Sequence, residues 1–239
     1  MNKLLFDKGP NPLRLKSFQE HQFISSKKKS SPYLVVCLHG QGGSLLDLRK
    51  IRARIRIDDF SYLFINGPYI RSTDEGRDGF EWHGSRPKHR EGINLSLQKL
   101  DELATELAAF GFHSSKMLLF GFSQGAVIAL EWALRGKDRF FGVIAVSGWI
   151  FDVADLMENL GPHGLETPIL MTHGPCDEVI SFEELKPRVE QVSLKLSNLS
   201  FEEIQKGHEI HSSEYELFRA WAHRRISRAP LINPLSLGI

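Results

Sequence analysis

The sequence predicts an α/β protein whose mostly parallel central sheet carries helices on both faces. Two observations predict it. Short, continuous apolar runs recur along the chain, and each stops at a glycine-containing turn, as strands buried on both faces do. Between them lie segments whose apolar residues return every three or four positions, the period of an amphipathic helix. Alternation of the two at this spacing calls for right-handed βαβ units. At 239 residues the chain is long enough for one sizeable α/β domain and short for two, so residues 1–239 are read as one domain.

A polar lead-in ends in the turn KKKSS at residues 27–31. The run YLVVCL (33–38) is the first expected strand, stopped by HGQGG (39–43). The basic stretch LRKIRARIR (48–56) reads as an amphipathic element with a solvated basic face. YLFI (62–65) ends at Asn66-Gly67-Pro68. Residues 68–92 show no clear period and exceed an ordinary connection, which makes them a candidate lid or substrate loop. Leu95, Leu97, Leu100, Leu103, Leu107 and Phe110 then mark a long helix, with Gly111 as its C-terminal stop.

MLLF (117–120) ends at Gly121, and a helix over 126–134 follows directly. Residues 141–146 end at Ser147-Gly148, and 168–171 end at Thr172-His173-Gly174. Amphipathic helices over 183–196 and 213–226 flank a strand-like run at 199–205; Pro187 is expected in the first turn of the former, or at a kink. The tail at 227–239 extends past the last helix, and its apolar residues suit packing on its own domain or on a neighbour, as in a homodimer.

Thirty basic and 29 acidic side chains leave a formal charge of +1, which gives no global drive toward nucleic acid or an anionic membrane. No run approaches the ~18 apolar residues of a membrane helix, and the opening MNKLLFDK lacks the apolar core of a signal peptide. Two cysteines, Cys37 and Cys176, imply no disulfide framework, and Cys37 reads as a small buried hydrophobe. The expectation is a soluble protein of a reducing, cytoplasmic compartment, with neither nucleic acid nor membrane as partner.

Chemistry enters at GFSQG, residues 121–125. A glycine-x-serine-x-glycine spacing arises by chance about 0.15 times in a chain of this composition, so context must decide. Here the serine follows an apolar strand and opens a helix, the setting of a nucleophile elbow. Such a turn is sharp, so its neighbours must lack bulk, and Gly121, Gly125 and Ala126 do. Ser123 is therefore the candidate nucleophile, near a helix N-terminus whose partial positive charge favours a developing oxyanion.

A serine at neutral pH needs a base, and the base needs an orienting acid, in the chain order Ser, Asp, His. Asp177 lies in HGPCDEVI (173–180), at a strand's carboxyl end, and His208 follows the run at 199–205. Alone, Asp177 would read as a cap for the helix starting near Ser181, and His208 as a surface histidine beside His211. Order and placement together favour a triad on one edge of the sheet. Oxyanion donors are expected from the backbone N–H groups of Gln124 and of Gln41 in LHGQGGS; Gln124 is expected to act through its N–H rather than its side chain.

These stretches together resemble the phospholipase/carboxylesterase family of α/β-hydrolases, which includes acyl-protein thioesterases and small bacterial carboxylesterases. The resemblance rests on LHGQGG (38–43), GFSQGA (121–126), HGPCDEVI (173–180) and GHE (207–209), and spans roughly residues 33–225. It implies an α/β-hydrolase fold and hydrolysis of short-to-medium acyl esters or thioesters without metal or cofactor. It also implies Ser123, Asp177 and His208 as triad, with Gln41 and Gln124 as oxyanion donors. Long-chain action, as a lysophospholipase or acyl-protein thioesterase, is the alternative; a non-catalytic binding protein on the same fold is a further one. The family's aromatic-aromatic-acid segment is disturbed here to GFEWHG (79–84), whose Phe80, Trp82 and His83 are expected to line the acyl or alcohol pocket. A metal-dependent hydrolase is disfavoured because HEIH (208–211) lacks the i, i+4 histidine spacing of H-E-x-x-H.

Overall fold

The computed structural model describes residues 13–28, 31–72, 78–84 and 88–228. Its centre is a seven-stranded sheet: β1 (His21–Ile24), β2 (Tyr33–Leu38), β3 (Phe60–Ile65), β6 (Met117–Phe122), β7 (Gly142–Val146), β8 (Ile169–His173) and β9 (Leu199–Glu203). Its spatial order is β1-β3-β2-β6-β7-β8-β9. β1 pairs antiparallel at the edge and every other pairing is parallel, so six strands aim their carboxyl ends the same way.

Successive side chains of a strand point to opposite faces, and the buried residues divide accordingly. Leu34, Val36, Leu38, Leu119, Val143, Ala145, Ile169 and Met171 pack on one side with α2 (His89–Ala109), α3 (Gln124–Arg135), α4 (Val153–Glu158) and α5 (Phe182–Ser193). Val35, Cys37, Tyr62, Phe64, Leu118, Phe120 and Ile144 pack on the other with α1 (Leu45–Ile55) and α6 (Glu214–Arg228). The central strands are continuous apolar runs because both of their faces are covered. The basic stretch belongs to α1, which buries Leu48, Ile51 and Ile55 and leaves its cations at the surface.

Three elements depart from the sequence expectation. The polar lead-in contains β1. The unpatterned stretch at 68–92 contains a two-stranded antiparallel hairpin, β4 (Tyr69–Ser72) and β5 (Asp78–Glu81). Short α4 fills part of the connection after β7. Pro187 is the sixth residue of α5, beyond the first turn, where its ring removes the N–H that would bond Glu183. Of the expected tail, residues 229–239 lie outside the described residues, as do 73–77 and 85–87 of the candidate lid.

Candidate active site

Ser123 sits between β6 and α3 with φ 53° and ψ −120°, a positive φ that a residue with a Cβ rarely adopts. Such a conformation costs of order 1–3 kcal/mol and persists only where its surroundings over-determine it. Here they do. The Ser123 N–H donates to Val146 O at 2.9 Å, and Ser123 O accepts from Ala126 N and Val127 N at 2.9 and 3.2 Å. Close approach accounts for the flanking glycine: a Cβ on Gly125 would lie 2.1 Å from Leu38 O.

Asp177 is positioned by the loop that follows β8. Its Oδ1 accepts the N–H groups of Val179 and Ile180 at 2.9 and 2.8 Å, so the carboxylate folds its own loop. The cap of α5 is instead Ser181, whose Oγ accepts Glu184 N–H. Oδ2 is thereby aimed at His208, which donates from Nδ1 at 2.8 Å, and the carboxylate is fully buried. Burial pushes the Asp177 carboxyl up, but the Ile180 and Val179 N–H groups and His208 outweigh it and hold it below the ordinary carboxylate range.

With Nδ1 donating to the carboxylate, Nε2 of His208 is the acceptor, and the Ser123 Oγ lies 2.9 Å from it. Ser123, His208 and Asp177, 85 and 31 residues apart in sequence, thus form one continuous hydrogen-bonded line. His211 points elsewhere, its Nδ1 at 2.8 Å from Ser213 Oγ. A second imidazole, unforeseen from the sequence, completes the setting. His173 is fully buried with Nε2 at 2.9 Å from Ile180 O and 3.4 Å from Asp177 Oδ2. Burial holds His173 below the ordinary histidine value, so it stands as a neutral donor behind the carboxylate.

The glycine loop after β2 lies against the hairpin. Gly42 N–H donates to Phe80 O at 2.9 Å and Phe80 N–H to Gly43 O at 2.8 Å. A Cβ on Gly79 would lie 2.3 Å from Gly42 O, so the two main chains touch. Gly43 N–H is taken by Gly40 O at 3.1 Å. Gln41 lies between Gly40 and Gly42 in this loop, and its side-chain Nε2 donates to Glu81 Oε2 on the hairpin at 3.0 Å. Gln124 is the first residue of α3, where N–H groups have no intrahelical acceptor.

The Gln124 side chain does more than the sequence suggested. Its Oε1 accepts Trp82 N–H at 2.7 Å and its Nε2 donates to His83 O at 2.8 Å. The buried amide therefore pins residues 82–83 beside the elbow. The pocket expectation is corrected for Trp82, which is fully buried in the core and donates its indole N–H to His39 O at 2.9 Å. His83 is buried too, its ring edge-on to Phe151 and its Nδ1 at 2.8 Å from Gly84 O. Both shape the site through their backbone, because their rings pack inward; Phe80, half-buried, holds the glycine loop in the same way.

Among the described residues, no group of three or more His, Cys, Asp or Glu is placed to hold a metal ion, and no helix is long and apolar enough to cross a membrane.

Residues 19–222 match the phospholipase/carboxylesterase family. The chain is similar to acyl-protein thioesterase 1 of Aspergillus fumigatus, 26% identical over 67% of this chain and 73% of that protein. It is also similar to acyl-protein thioesterase 1 of Saccharomyces cerevisiae, 23% identical over 85% and 90% of the two chains. In fold it is similar to the carboxylesterase of Bacillus cereus, with a TM-score of 0.71 at 21% identity over 86% of this chain and 94% of that one. The fold is that of the α/β-hydrolases.

Proposed function

The chain belongs to the phospholipase/carboxylesterase family, and from that premise we propose that Ser123, His208 and Asp177 are the catalytic triad of its ester or thioester hydrolysis. Membership makes the chain a hydrolase of such bonds; the residues that carry the reaction follow from the site. The observation that carries the assignment is the line Ser123 Oγ to His208 Nε2 at 2.9 Å and His208 Nδ1 to Asp177 Oδ2 at 2.8 Å.

In this reading Ser123 Oγ attacks the carbonyl carbon as His208 Nε2 takes the hydroxyl proton. Asp177 stays ionised, fixes the imidazole tautomer and stabilises the imidazolium. The Gln41 and Gln124 N–H groups receive the oxyanion, aided by the N-terminus of α3. His208 then protonates the departing alcohol or thiol, and water, deprotonated by His208, releases the acid and regenerates Ser123. The substrates are small esters or thioesters of short-to-medium acyl groups, and neither metal nor cofactor is required. A second reading, thioester hydrolysis on longer acyl chains, is favoured by the acyl-protein thioesterase relatives. Two unpaired thiols, Cys37 buried and Cys176 exposed, suit a reducing, cytoplasmic setting.

The test is Ser123→Ala, assayed with p-nitrophenyl butyrate and with its fold checked by circular dichroism. Turnover should vanish while the spectrum and melting temperature stay put; full activity would refute the assignment. A series of p-nitrophenyl esters of rising chain length beside a palmitoyl thioester separates the two readings. A maximum at short or medium acyl length supports the first, and preference for the palmitoyl thioester the second.

A further inference from the structure

Three buried polar side chains next to His208 have no part in the reaction as written: Lys206, Glu214 and Thr172. Lys206 Nζ and Glu214 Oε1 lie 2.8 Å apart with both side chains fully buried. Desolvating two charges is expensive, and apolar residues of the same volume often leave a protein as stable or more so. Stability alone is therefore a weak reason for this pair, and its remaining bonds supply a better one.

The Lys206 ammonium donates to Glu209 O at 2.9 Å, closing the chain across His208 from two residues before it to one after. Glu214 Oε2 accepts the His211 N–H at 2.7 Å, three residues past His208. Glu214 Oε1 also accepts the Thr172 hydroxyl at 2.6 Å, from the strand that leads to Asp177. Main chain meets main chain there as well: a Cβ on Gly174 would lie 2.1 Å from Lys206 O. One carboxylate at the start of α6 thus ties both flanks of His208 to the strand that delivers Asp177.

Resting on the triad reading above, we propose that Lys206 and Glu214 are positioning residues that hold His208 in line between Asp177 and Ser123. Neither touches a reacting atom. Loosening the pair frees the 206–211 turn, so the imidazole drifts from its line with Ser123 Oγ. A misplacement of about 1 Å lowers turnover by about 10²-fold, while substrate binding, which does not use this turn, is spared.

The deciding variant is the double substitution Lys206→Met and Glu214→Leu in the full chain, which removes both charges and refills their volume. With p-nitrophenyl butyrate, kcat of the folded double variant should fall about 10²-fold with KM close to wild type, at a melting temperature lowered by the Thr172 and His211 donors left without an acceptor. Wild-type kcat in the folded double variant would overturn the proposal, as would a loss that matches the unfolded fraction. If the double variant does not fold, Glu214→Gln decides: its single amide oxygen can serve Thr172 or His211 but not both, and the charge that pairs with Lys206 is gone. In that variant a selective kcat loss supports the proposal and an unchanged kcat overturns it. Failure of both to fold overturns it in favour of a purely architectural pair. Ser123→Ala in the same assay separates the two readings. If it stays active, the triad assignment itself falls; if it is inert beside a fully active double variant, only the positioning role does.

Discussion

Around Ser123 most restraints run from main chain to main chain: the strained elbow bonded to Val146 O, Gly125 against Leu38 O, and Gly42 and Gly43 laddered to Phe80, with the Gln124 amide as a side-chain addition. Around His208 they run from side chain to side chain: Asp177 to imidazole, His173 behind the carboxylate, and Lys206 and Glu214 beneath the turn. The two halves of one site thus lean on different means, although Gly174 also meets Lys206 O on the histidine side. Main-chain contact admits no Cβ at the point of closest approach, so it writes glycines into the sequence. Side-chain contact accepts many residue pairs at any separation and leaves no fixed spelling.

The acid–base half breaks most completely through Asp177→Asn. An amide keeps the Oδ1 acceptor for Val179 and Ile180, so the loop should hold its shape. It also favours the wrong imidazole tautomer, with Nε2 protonated and unable to take the serine proton. The expected outcome is a kcat loss of order 10³- to 10⁴-fold with thermal stability close to wild type, read by steady-state kinetics and a melting curve. A loss smaller than tenfold would mean that the buried carboxylate is not what orients His208.

The nucleophile half should fail differently, by losing the fold. Gly125→Ala places a methyl 2.1 Å from Leu38 O, a main-chain atom that cannot step aside. In an open helix the same change stabilises by up to about 1 kcal/mol. Here the sign should reverse, with about 3 kcal/mol or more lost, as overpacking against backbone does. Urea unfolding of both proteins measures it; a stability equal to or above wild type would show that the strand and helix are not in contact at this point.

The same division governs what could be read from the sequence. Five strands announced themselves because both of their faces are buried, and Ser123 because its turn must be lined by glycine. Order and placement after β8 and β9 singled out Asp177 and His208, and the structure brings both side chains into one hydrogen-bonded line with Ser123. β1 was not legible: HQFI is half-buried at every position, so it shows neither a continuous apolar run nor a clean alternation. The hairpin was not legible either, since YIRS and DGFE have little strand character and become strands through each other and the glycine loop. Trp82 was misread because an aromatic beside a catalytic loop looks the same in sequence whether it lines a pocket or fills the core. Lys206 and Glu214 gave no signal at all, because a buried lysine and a surface one are spelled alike.

Acid offers a milder way to compare the halves, because both contain buried neutral histidines, His39 and His83 in one and His173 in the other. Burial holds His39 and His83, in the nucleophile half, and His173, in the acid–base half, below the ordinary histidine value of 6.5. A folded pKa below the unfolded one means that the unfolded chain binds the proton first. Stability is therefore fully present above about pH 6.5 and is lost as pH falls from there toward the folded pKa. His39 and His173 should not contribute equally. His39 Nε2 accepts the Gly67 N–H at 2.9 Å while Nδ1 lies 2.7 Å from Gly40 O, so protonation sets two N–H donors head to head. At His173 the added proton goes to Nδ1, which is buried without an acceptor among the described residues, while Nε2 of the same imidazolium stays 3.4 Å from the Asp177 carboxylate, which offsets part of the cost. His39→Gln keeps an acceptor for Gly67 N–H and cannot titrate. Urea-derived stabilities at pH 7.5, 6.5 and 5.5 should fall less steeply in that variant, by at most about 1.4 kcal/mol per pH unit. Parallel pH curves for His39→Gln and wild type would show that the acid sensitivity lies instead at His83, His173 or Asp177.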